Sequence, residues 1–398
     1  MLDFDNLKLV VIGNLHYPQG AASTNRIHAY LKGIKQNGFD SLVICTGIPF
    51  REKVNFEASG SYEGINYLYS SGNHYRDSRF IMRNLNKIFA FWKSIIILVK
   101  LKKNNKNFAI LEYSTSFIDE VVLFIICKWL KIPVIRESNE LPDVIIYNRK
   151  NIIEKFISLV VRPKLYDGVI VISKFLEVFF ADKIRKNAKS LFIPILVDFD
   201  RFNCILEESE EKYIAYCGFM GGNKDGVDFL IKSYAKSQLY KQNIKLYLIG
   251  YGPEEDIKRL KKISENFLIS DYVNFIGKVD RDDMPKYLKN SVALVLARPN
   301  SKQAEAGFPT KLGEYLATGK PVIVTDVGEI SSFLKDNESA FIAVPNNIDD
   351  FSDKLIKMND NYSKSLLIGE AGKKTALNNF QINSNSKKLL EFIENILG

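Results

Sequence analysis

Short apolar segments rich in β-branched residues alternate with longer amphipathic segments along almost the whole chain. This alternation is typical of βα units arranged around a parallel sheet, because such strands are buried on both faces. The predicted strands are Lys8–Gly13, Ser41–Thr46, Phe108–Tyr113, Pro133–Glu137, Gly168–Ile172 and Leu191–Ile193 in the first half, and Tyr213–Cys217, Lys245–Ile249, Tyr272–Ile276, Ala293–Ala297, Pro321–Thr325 and Ala340–Val344 in the second.

The pattern occurs twice, with a break in the acidic stretch near Phe202–Lys212. We therefore predict an α/β protein with two doubly wound parallel-sheet domains, residues 1–203 and 204–380, and a final helix in residues 381–398 that packs back across the junction. Ligands of such sheets bind beyond the carboxyl ends of the strands, so two such domains predict a central cleft.

Length and composition agree with two globular domains: 398 residues, of which 46% are hydrophobic and 25% charged. The four cysteines have neither the spacing of a disulfide framework nor that of a zinc site, which favours a reducing cytosol. The first residues are acidic rather than basic, and the longest apolar runs, such as Val121–Cys127, are far shorter than the roughly 20 residues that span a bilayer. We expect neither a secretory signal nor a transmembrane helix.

The net charge of +9 lies entirely in the first half. Residues 1–203 contain 29 Lys and Arg against 19 Asp and Glu, and no acid lies between Asp77 and Glu112. Within this cationic stretch, residues 79–106 combine basic and broad apolar positions, which predicts either peripheral contact with an anionic membrane or a helix on the sheet with solvated lysines. Interleaved Ile and Leu argue against nucleic-acid binding.

Two segments of the first half place polar or small residues directly after predicted strands. Gly20 and Ala21 precede a helix, where free N–H groups attract a phosphate or sugar oxygen, although many βα turns use such residues. Four further residues, which follow strands, are candidates for acceptor contact: His16, Glu137, Asn139 and Glu140. The alternatives are a surface histidine and solvated or capping groups.

In the second half, the turn after Tyr213–Cys217 contains Gly218 and a single basic residue, Lys224. A glycine turn with one ammonium can bind a diphosphate, and the alternative is an ordinary turn with a solvated lysine. The spacing differs from that of a Walker A loop.

The most informative stretch runs from Arg298 to Asp326. A strand ends at Arg298, a polar loop contains Glu305 and Gly307, and a helix follows Pro309 with Glu314 one turn inside it. Carboxylates beside a helix N-terminus can hold sugar hydroxyls. The backbone amides of Gly307–Thr310, including that of Phe308, are expected to face a bound anion.

Together these motifs resemble the retaining glycosyltransferases of family 4, which have the GT-B fold, and the resemblance covers nearly the whole chain. YCGFMGGNKDGVDFLI resembles the family's glycine loop, LYLIGYGPEE with Gly250 its LxGxGP turn, and AGFPTKLGEYLATGKPVI its donor motif. FIPILVDFDRF resembles the end of the family's N-terminal domain. Two features depart from the family pattern: Ala306 stands where the first glutamate of the donor motif belongs, and Phe219 stands where many members have a basic residue.

The resemblance implies transfer of a sugar, with retention, from a nucleoside-diphosphate sugar (UDP or GDP) to a glycan or lipid-linked acceptor in bacterial polysaccharide biosynthesis, with no metal and no further cofactor. Lys224 would stabilise the diphosphate, Glu314 would hold the ribose, and Glu305 would hold the donor sugar together with the Gly307–Pro309 backbone. Donor contacts are also expected from Gly20, Ala21, Gly218, Gly250, Arg298, Phe308 and Thr310. A non-catalytic binding protein, or an epimerase or phosphorylase of the same fold, is the alternative.

Overall fold

The computed structural model describes residues 4–20, 22–47, 57–73, 79–104, 106–114, 116–149, 151–205, 211–222 and 224–398. The chain divides into two compact units, one comprising Met1–Pro194 and Ile382–Gly398 and the other Ile195–Gln381. The predicted boundary at residue 203 therefore lies inside the second unit. The contacts of Val197 explain why the segment before residue 203 belongs to that unit. Its N–H donates to the Phe380 carbonyl over 2.8 Å, and its side chain packs against Gly313.

The described residues of the first unit form an eight-stranded sheet of order β3-β4-β2-β1-β5-β6-β7-β8, parallel except for the β3–β4 hairpin. This hairpin was not predicted, because β3 is short, polar and largely exposed. The strands are β1 Leu7–Gly13, β2 Asp40–Cys45, β3 Ser59–Tyr62, β4 Ile65–Tyr69, β5 Ala109–Tyr113, β6 Val134–Ser138, β7 Gly168–Val171 and β8 Lys189–Phe192.

Helices connect these strands and cover the sheet. Their bounds in the first unit are α1 Ala22–Gln36, α2 Phe80–Lys103, α3 Phe117–Leu130, α4 Asp143–Ile146, α5 Ile152–Phe156 and α6 Lys174–Ala181, and the end of the chain adds α15 Ile382–Leu397. Helix α15 packs against α1, where Gly33 lets the two backbones approach: a Cβ at Gly33 would lie 2.0 Å from Ser386 Oγ.

The second unit contains, among its described residues, a fully parallel six-stranded sheet of order β11-β10-β9-β12-β13-β14. The order runs outward in both directions from the β9–β12 pair, so their carboxyl ends form the switch point at which such sheets bind ligands. The strands are β9 Lys212–Phe219, β10 Ile244–Tyr251, β11 Val273–Gly277, β12 Ala293–Leu296, β13 Val322–Thr325 and β14 Phe341–Ala343.

The helices of the second unit include two that the sequence pattern did not predict, α10 and α14. The first has only five residues, and the second follows α13 after a single residue, so that neither stands out as a separate amphipathic segment. The bounds are α7 Val227–Ser237, α8 Glu254–Asn266, α9 Met284–Asn290, α10 Lys302–Ala306, α11 Thr310–Ala317, α12 Ile330–Phe333, α13 Ile348–Asp360 and α14 Tyr362–Phe380.

None of the helices in the described part of the chain combines the length and apolarity that crossing a membrane requires.

A buried ion pair joins three elements of the first unit. The Glu137 carboxylate at the end of β6 accepts from Arg26 Nε over 2.5 Å and from the Tyr30 hydroxyl over 2.6 Å, and Tyr113 on β5 donates to its other oxygen. Arg26 also donates to the Ile193 and Pro194 carbonyls, which end this part of the unit. The network therefore ties α1 to the middle of the sheet and to the segment after β8.

Burial raises the pKa of Glu137, but the Arg26 charge and the hydrogen bonds from both tyrosines outweigh burial and hold this pKa below its ordinary value. A depressed folded-state pKa means that the ionised carboxylate stabilises the fold above its unfolded pKa, and that this stabilisation is lost as pH falls through the folded pKa.

Replacement of Glu137 by Gln should lower the free energy of unfolding by about 3 kcal/mol at pH 7, because it leaves the buried Arg26 charge without its partner. The difference from the wild type should narrow at acidic pH, as pH falls through the depressed folded-state pKa of Glu137 and the wild type loses the same interaction. Urea unfolding between pH 3 and pH 8 measures both effects, with Glu140→Gln on the same loop as the exposed control. Equal stability of wild type and Glu137→Gln at pH 7 would contradict the network.

Candidate functional site

Two neighbouring glycines each lie one residue before the end of a strand, in β9 and β10 of the second unit. Gly218 and Gly250 lie opposite each other in the sheet. Gly250 has a φ of +137°, and a Cβ there would lie 1.9 Å from the Gly218 carbonyl oxygen. Only glycine fits this position, so the two predicted donor residues form a close backbone pair at the carboxyl end of the sheet.

A lysine that the sequence pattern did not indicate, Lys311, lies against Gly218. A Cβ at Gly218 would lie 2.0 Å from Lys311 Nζ and 2.6 Å from the Tyr216 hydroxyl. Lys311 belongs to the first turn of α11, and its ammonium donates to the Tyr216 hydroxyl over 3.2 Å and lies 4.8 Å from the centre of the Tyr216 ring. The absence of a side chain at Gly218 is what leaves room for this ammonium.

Asp225 connects the glycine turn to the neighbouring elements. Its buried carboxylate accepts from the Tyr216 hydroxyl over 2.9 Å and from Lys311 Nζ, and it lies 3.4 Å from Arg298 Nε. Burial raises the pKa of Asp225, but the charges of Lys311 and Arg298 outweigh burial and hold this pKa below its ordinary value. In the sequence this residue is only an extra acid between Lys224 and a glycine.

The two predicted cations of the diphosphate clamp lie in different surroundings. Lys224 is exposed on the turn, whereas Arg298 is 4% exposed and directs its guanidinium towards Asp225. A further acid, Asp256, accepts from the Gly222 N–H over 3.1 Å, and Arg259 lies 3.4 Å from it. Asp256 is therefore balanced by its own partner, while Asp225 is shared by two cations.

The loop before α11 separates its polar and apolar residues. Glu305 is exposed on α10, whereas Ala306, at the position of the family's first glutamate, is fully buried. Phe308 is also buried, and its ring stacks on Phe333 with centroids 5.4 Å apart. The Phe308 side chain thus belongs to the core, and the exposed chemistry of this loop lies with Glu305.

Helix α11 begins at Thr310, directly after Pro309, and Gly307 ends α10. Glu314, one turn into α11, is half-buried and its Oε1 accepts from Arg201 Nη1 over 2.7 Å. Arg201 also donates to the Arg281 carbonyl over 2.8 Å. Glu314, the carboxylate expected to hold a ribose, is therefore paired with Arg201. The sequence did not indicate this pair.

Tyr315, the next residue of α11, fixes the helix to the end of β9. Its buried hydroxyl accepts from the Cys217 N–H over 2.6 Å. Because Tyr315 follows Glu314 directly, this bond sets the position of Glu314 relative to the glycine turn.

The predicted acceptor residues of the first unit differ in exposure. Glu137 is the buried partner of Arg26, whereas His16 and Glu140 are exposed to solvent. The surrounding protein still removes part of the solvent from the His16 ring, and this desolvation lowers its pKa. Asn139 Oδ1 is buried and has no hydrogen-bond partner among the described residues. Gly20 is exposed next to Thr24, where a Cβ would lie 2.2 Å from Thr24 Oγ1. Ala21 lies outside the described residues.

A separate surface groove of about 470 Å³ lies beside β14. Its lining includes Asp326, Ser331 and Val344 and contains none of the predicted donor residues. Strand β14 is at the edge of the sheet, away from the β9–β12 switch point, so we place the candidate donor site at the glycine turns.

Comparison with known proteins adds a family match in the second half of the chain. Residues 200–375 match the family described as glycosyl transferases group 1. An uncharacterized glycosyltransferase of Methanocaldococcus jannaschii is 25% identical over 245 residues, which is 59% of this chain and 60% of that protein. A GDP-mannose-dependent alpha-(1-6)-phosphatidylinositol monomannoside mannosyltransferase of Mycobacterium tuberculosis is 22% identical over 240 residues, 57% of this chain and 61% of that protein. The match thus spans about three fifths of these relatives.

The fold of this chain is also similar to that of proteins with solved structures. Sucrose-phosphate synthase from Thermosynechococcus elongatus superposes with a TM-score of 0.73 at 13% identity, covering 98% of this chain and 99% of that one. Anabaena HepE in complex with UDP and glucose superposes with a TM-score of 0.71 at 12% identity, covering 98% and 100%. The chain therefore has the GT-B fold of these glycosyltransferases, and its residues 200–375 match the glycosyl transferases group 1 family.

Proposed function

We propose that this chain is a retaining hexosyltransferase of glycosyltransferase family 4, which transfers a sugar from a UDP- or GDP-sugar to a glycan or lipid-linked acceptor. The observation that carries the proposal is the cluster of cations and glycines at the β9–β12 switch point. Lys224 is exposed on the glycine turn, and Arg298 and Lys311 both contact the Asp225 carboxylate. Basic side chains beside such a turn are suited to the negative charge of a nucleoside diphosphate.

The reaction needs positioning and charge stabilisation more than a dedicated nucleophile. The acceptor hydroxyl oxygen bonds to the anomeric carbon on the face that the diphosphate leaves, the bond to the diphosphate oxygen breaks, and the acceptor proton passes to the departing phosphate. Lys224 and Arg298 stabilise the negative charge that develops on this phosphate, which is the role that preorganised cations fill in such transition states. In this proposal the cations supply the positive charge and no metal is required.

The remaining donor residues orient the nucleotide and its sugar. Glu314 holds the ribose hydroxyls, with Arg201 keeping its carboxylate in place. Glu305 and the backbone of Gly307–Pro309 hold the donor sugar. HepE was solved with UDP and glucose, and the mycobacterial relative uses GDP-mannose, which supports the donor class rather than one base.

The first unit is proposed to bind the acceptor through His16, Asn139 and Glu140. A buried oxygen without a partner is costly, so Asn139 Oδ1 would be stabilised by a hydrogen bond from a sugar hydroxyl. The phosphatidylinositol monomannoside named for the mycobacterial relative is a lipid-linked glycan, which supports an acceptor of this kind in the assembly of a bacterial surface polysaccharide.

A membrane contact of the first unit fits such an acceptor. Helix α2 exposes apolar side chains at helical spacing, Ile81, Leu85, Ile88, Trp92 and Ile96, and the adjacent α3 exposes Ile118, Ile125 and Trp129. Lys87, Lys93 and Lys100 are exposed on the same α2 helix. Apolar residues flanked by lysines match the interface of an anionic bilayer, so we propose that residues 79–106 hold the protein on the cytoplasmic face of the plasma membrane.

Nucleotide binding is tested by a thermal-shift screen against UDP, GDP, ADP and their sugar conjugates. One nucleotide should raise the stability by roughly 2.7 kcal/mol at a hundredfold excess over its Kd, and Lys224→Ala should lose this gain. Lys236→Ala, an exposed lysine of the same unit, is the control.

NMR of the product formed from the stabilising sugar nucleotide should show the donor's anomeric configuration. If no nucleotide stabilises the wild type, the proposal is wrong; binding without transfer leaves the non-catalytic alternative.

Membrane contact is tested by co-sedimentation with vesicles of phosphatidylcholine with and without phosphatidylglycerol. Lys87→Gln with Lys93→Gln should weaken binding to the anionic vesicles by roughly thirtyfold, and Ile88→Ser with Trp92→Ser should weaken it further. Leu268→Ser, an exposed leucine of the second unit, is the control. Equal binding by all variants would contradict the assignment, and so would a dimer that the apolar substitutions convert to a monomer.

A further inference from the structure

We infer that Lys311 is a further contact of the donor's diphosphate, with Asp225 and Tyr216 as its positioning residues. The inference rests on the proposed function, because it assigns a ligand to an ammonium of the same site. It concerns a residue that neither the motif spacing nor the resemblance assigned.

The first observation is the place of the ammonium. Lys311 Nζ lies so close to Gly218 that a Cβ at Gly218 would be 2.0 Å away. The ammonium thus reaches from α11 to the backbone of the glycine turn, where the donor phosphates are proposed to bind. Phe219, the next residue of β9, is aromatic and 46% exposed, so the strand end itself supplies no cation there.

The second observation is that Lys311 shares its carboxylate. Asp225 contacts both Lys311 and Arg298, so the Lys311 ammonium has only part of the Asp225 charge. Asp225 is buried and the Lys311 side chain is only 20% exposed, so water screens this ammonium poorly. A phosphate oxygen would give Lys311 a second anionic partner.

The third observation is the position of Lys311 within its helix. It lies in the first turn of α11, which contains no acidic residue. The N-terminus of a helix carries partial positive charge, so an ammonium there is electrostatically unfavourable. A phosphate at this point would be attracted by the helix N-terminus and by the ammonium together. Three independent features therefore favour the same ligand chemistry at one place.

Asp225 has a definite role in this arrangement. It holds the Lys311 ammonium beside Gly218 before the donor binds, and Tyr216, hydrogen-bonded to both residues, fixes the pair. When the donor binds, the ammonium shares its hydrogen-bond donors between the Asp225 carboxylate and a phosphate oxygen. An ammonium has three N–H donors, so it need not release one partner to gain the other.

The test compares affinities for UDP, GDP, their parent nucleosides and inorganic pyrophosphate by isothermal titration calorimetry. Lys311→Met should weaken binding of the diphosphates and of pyrophosphate by roughly tenfold or more, since a charge-assisted hydrogen bond is lost, and should leave nucleoside binding unchanged. Lys311→Arg should retain most of the affinity. Lys354→Met is the matched control, because it removes another partly buried Lys–Asp pair of the same unit, beside the β14 groove.

The Asp225→Asn variant distinguishes a ligand-binding role of Lys311 from a purely structural role of the Lys311–Asp225 pair. It should lower the melting temperature, because it leaves two buried cations without their carboxylate, yet it should keep or strengthen diphosphate affinity. If the pair were only structural, Lys311→Met and Asp225→Asn would weaken all ligands alike, and the inference would be overturned. Wild-type diphosphate affinity in Lys311→Met would overturn it too and leave the proposed transfer standing.

The outcomes for the wild type distinguish this inference from the proposed function. Diphosphate binding that depends on Lys311, without sugar transfer to any acceptor, would overturn the transfer reaction and support the assignment of Lys311. Failure of the wild type to bind any nucleotide or pyrophosphate would overturn both.

Discussion

The buried carboxylate of Asp225 is the interaction on which the candidate donor site depends. It brings together Tyr216 of β9, Arg298 after β12 and Lys311 of α11, three elements that are distant in sequence. Without a shared anion, the two cations would repel each other at the carboxyl end of the sheet. Their attraction to one carboxylate holds the start of α11 beside the end of β9.

The first unit uses a similar carboxylate for a different result. Glu137 is also buried beside an arginine at the end of a parallel strand, but tyrosine hydroxyls and backbone carbonyls complete the hydrogen bonds of both partners. One charge balances the other, so the Arg26–Glu137 pair is complete as it stands. Asp225 is instead shared by Lys311 and Arg298, so the Lys311 ammonium is suited to an additional anionic ligand, whereas the Glu137 network is suited to holding the fold.

Helix α2 has one side that is buried against the protein and another that exposes apolar side chains. Its buried side, which includes Ala90, Leu98 and Leu101, lies on the protein, while the stripe from Ile81 to Ile96 faces outward. Exposed apolar stripes of this size are unfavourable in water unless something covers them. The lysines along the same helix make an anionic lipid surface a suitable cover, and a lipid-linked acceptor would then be near the first unit.

Much of the fold follows from the sequence, because strands buried on both faces and amphipathic helices leave local periodic patterns. The two parallel sheets, the glycine turns and the loop before α11 were predicted in this way, and the GT-B fold implied by the resemblance is confirmed. The β3–β4 hairpin was missed because its first strand is polar and exposed, which resembles a loop in sequence.

What only the tertiary structure decided is which side chains meet. The sequence indicated Lys224, Glu314 and Glu137 as functional candidates but could not show that Glu137 is enclosed by Arg26, or that Arg201 binds Glu314. It also contained Lys311 within a recognised motif without indicating that its ammonium lies against Gly218. The physical reason is that periodicity and turn residues report local conformation, whereas ion pairs depend on strand order and helix packing, which here join residues 86 to 113 positions apart.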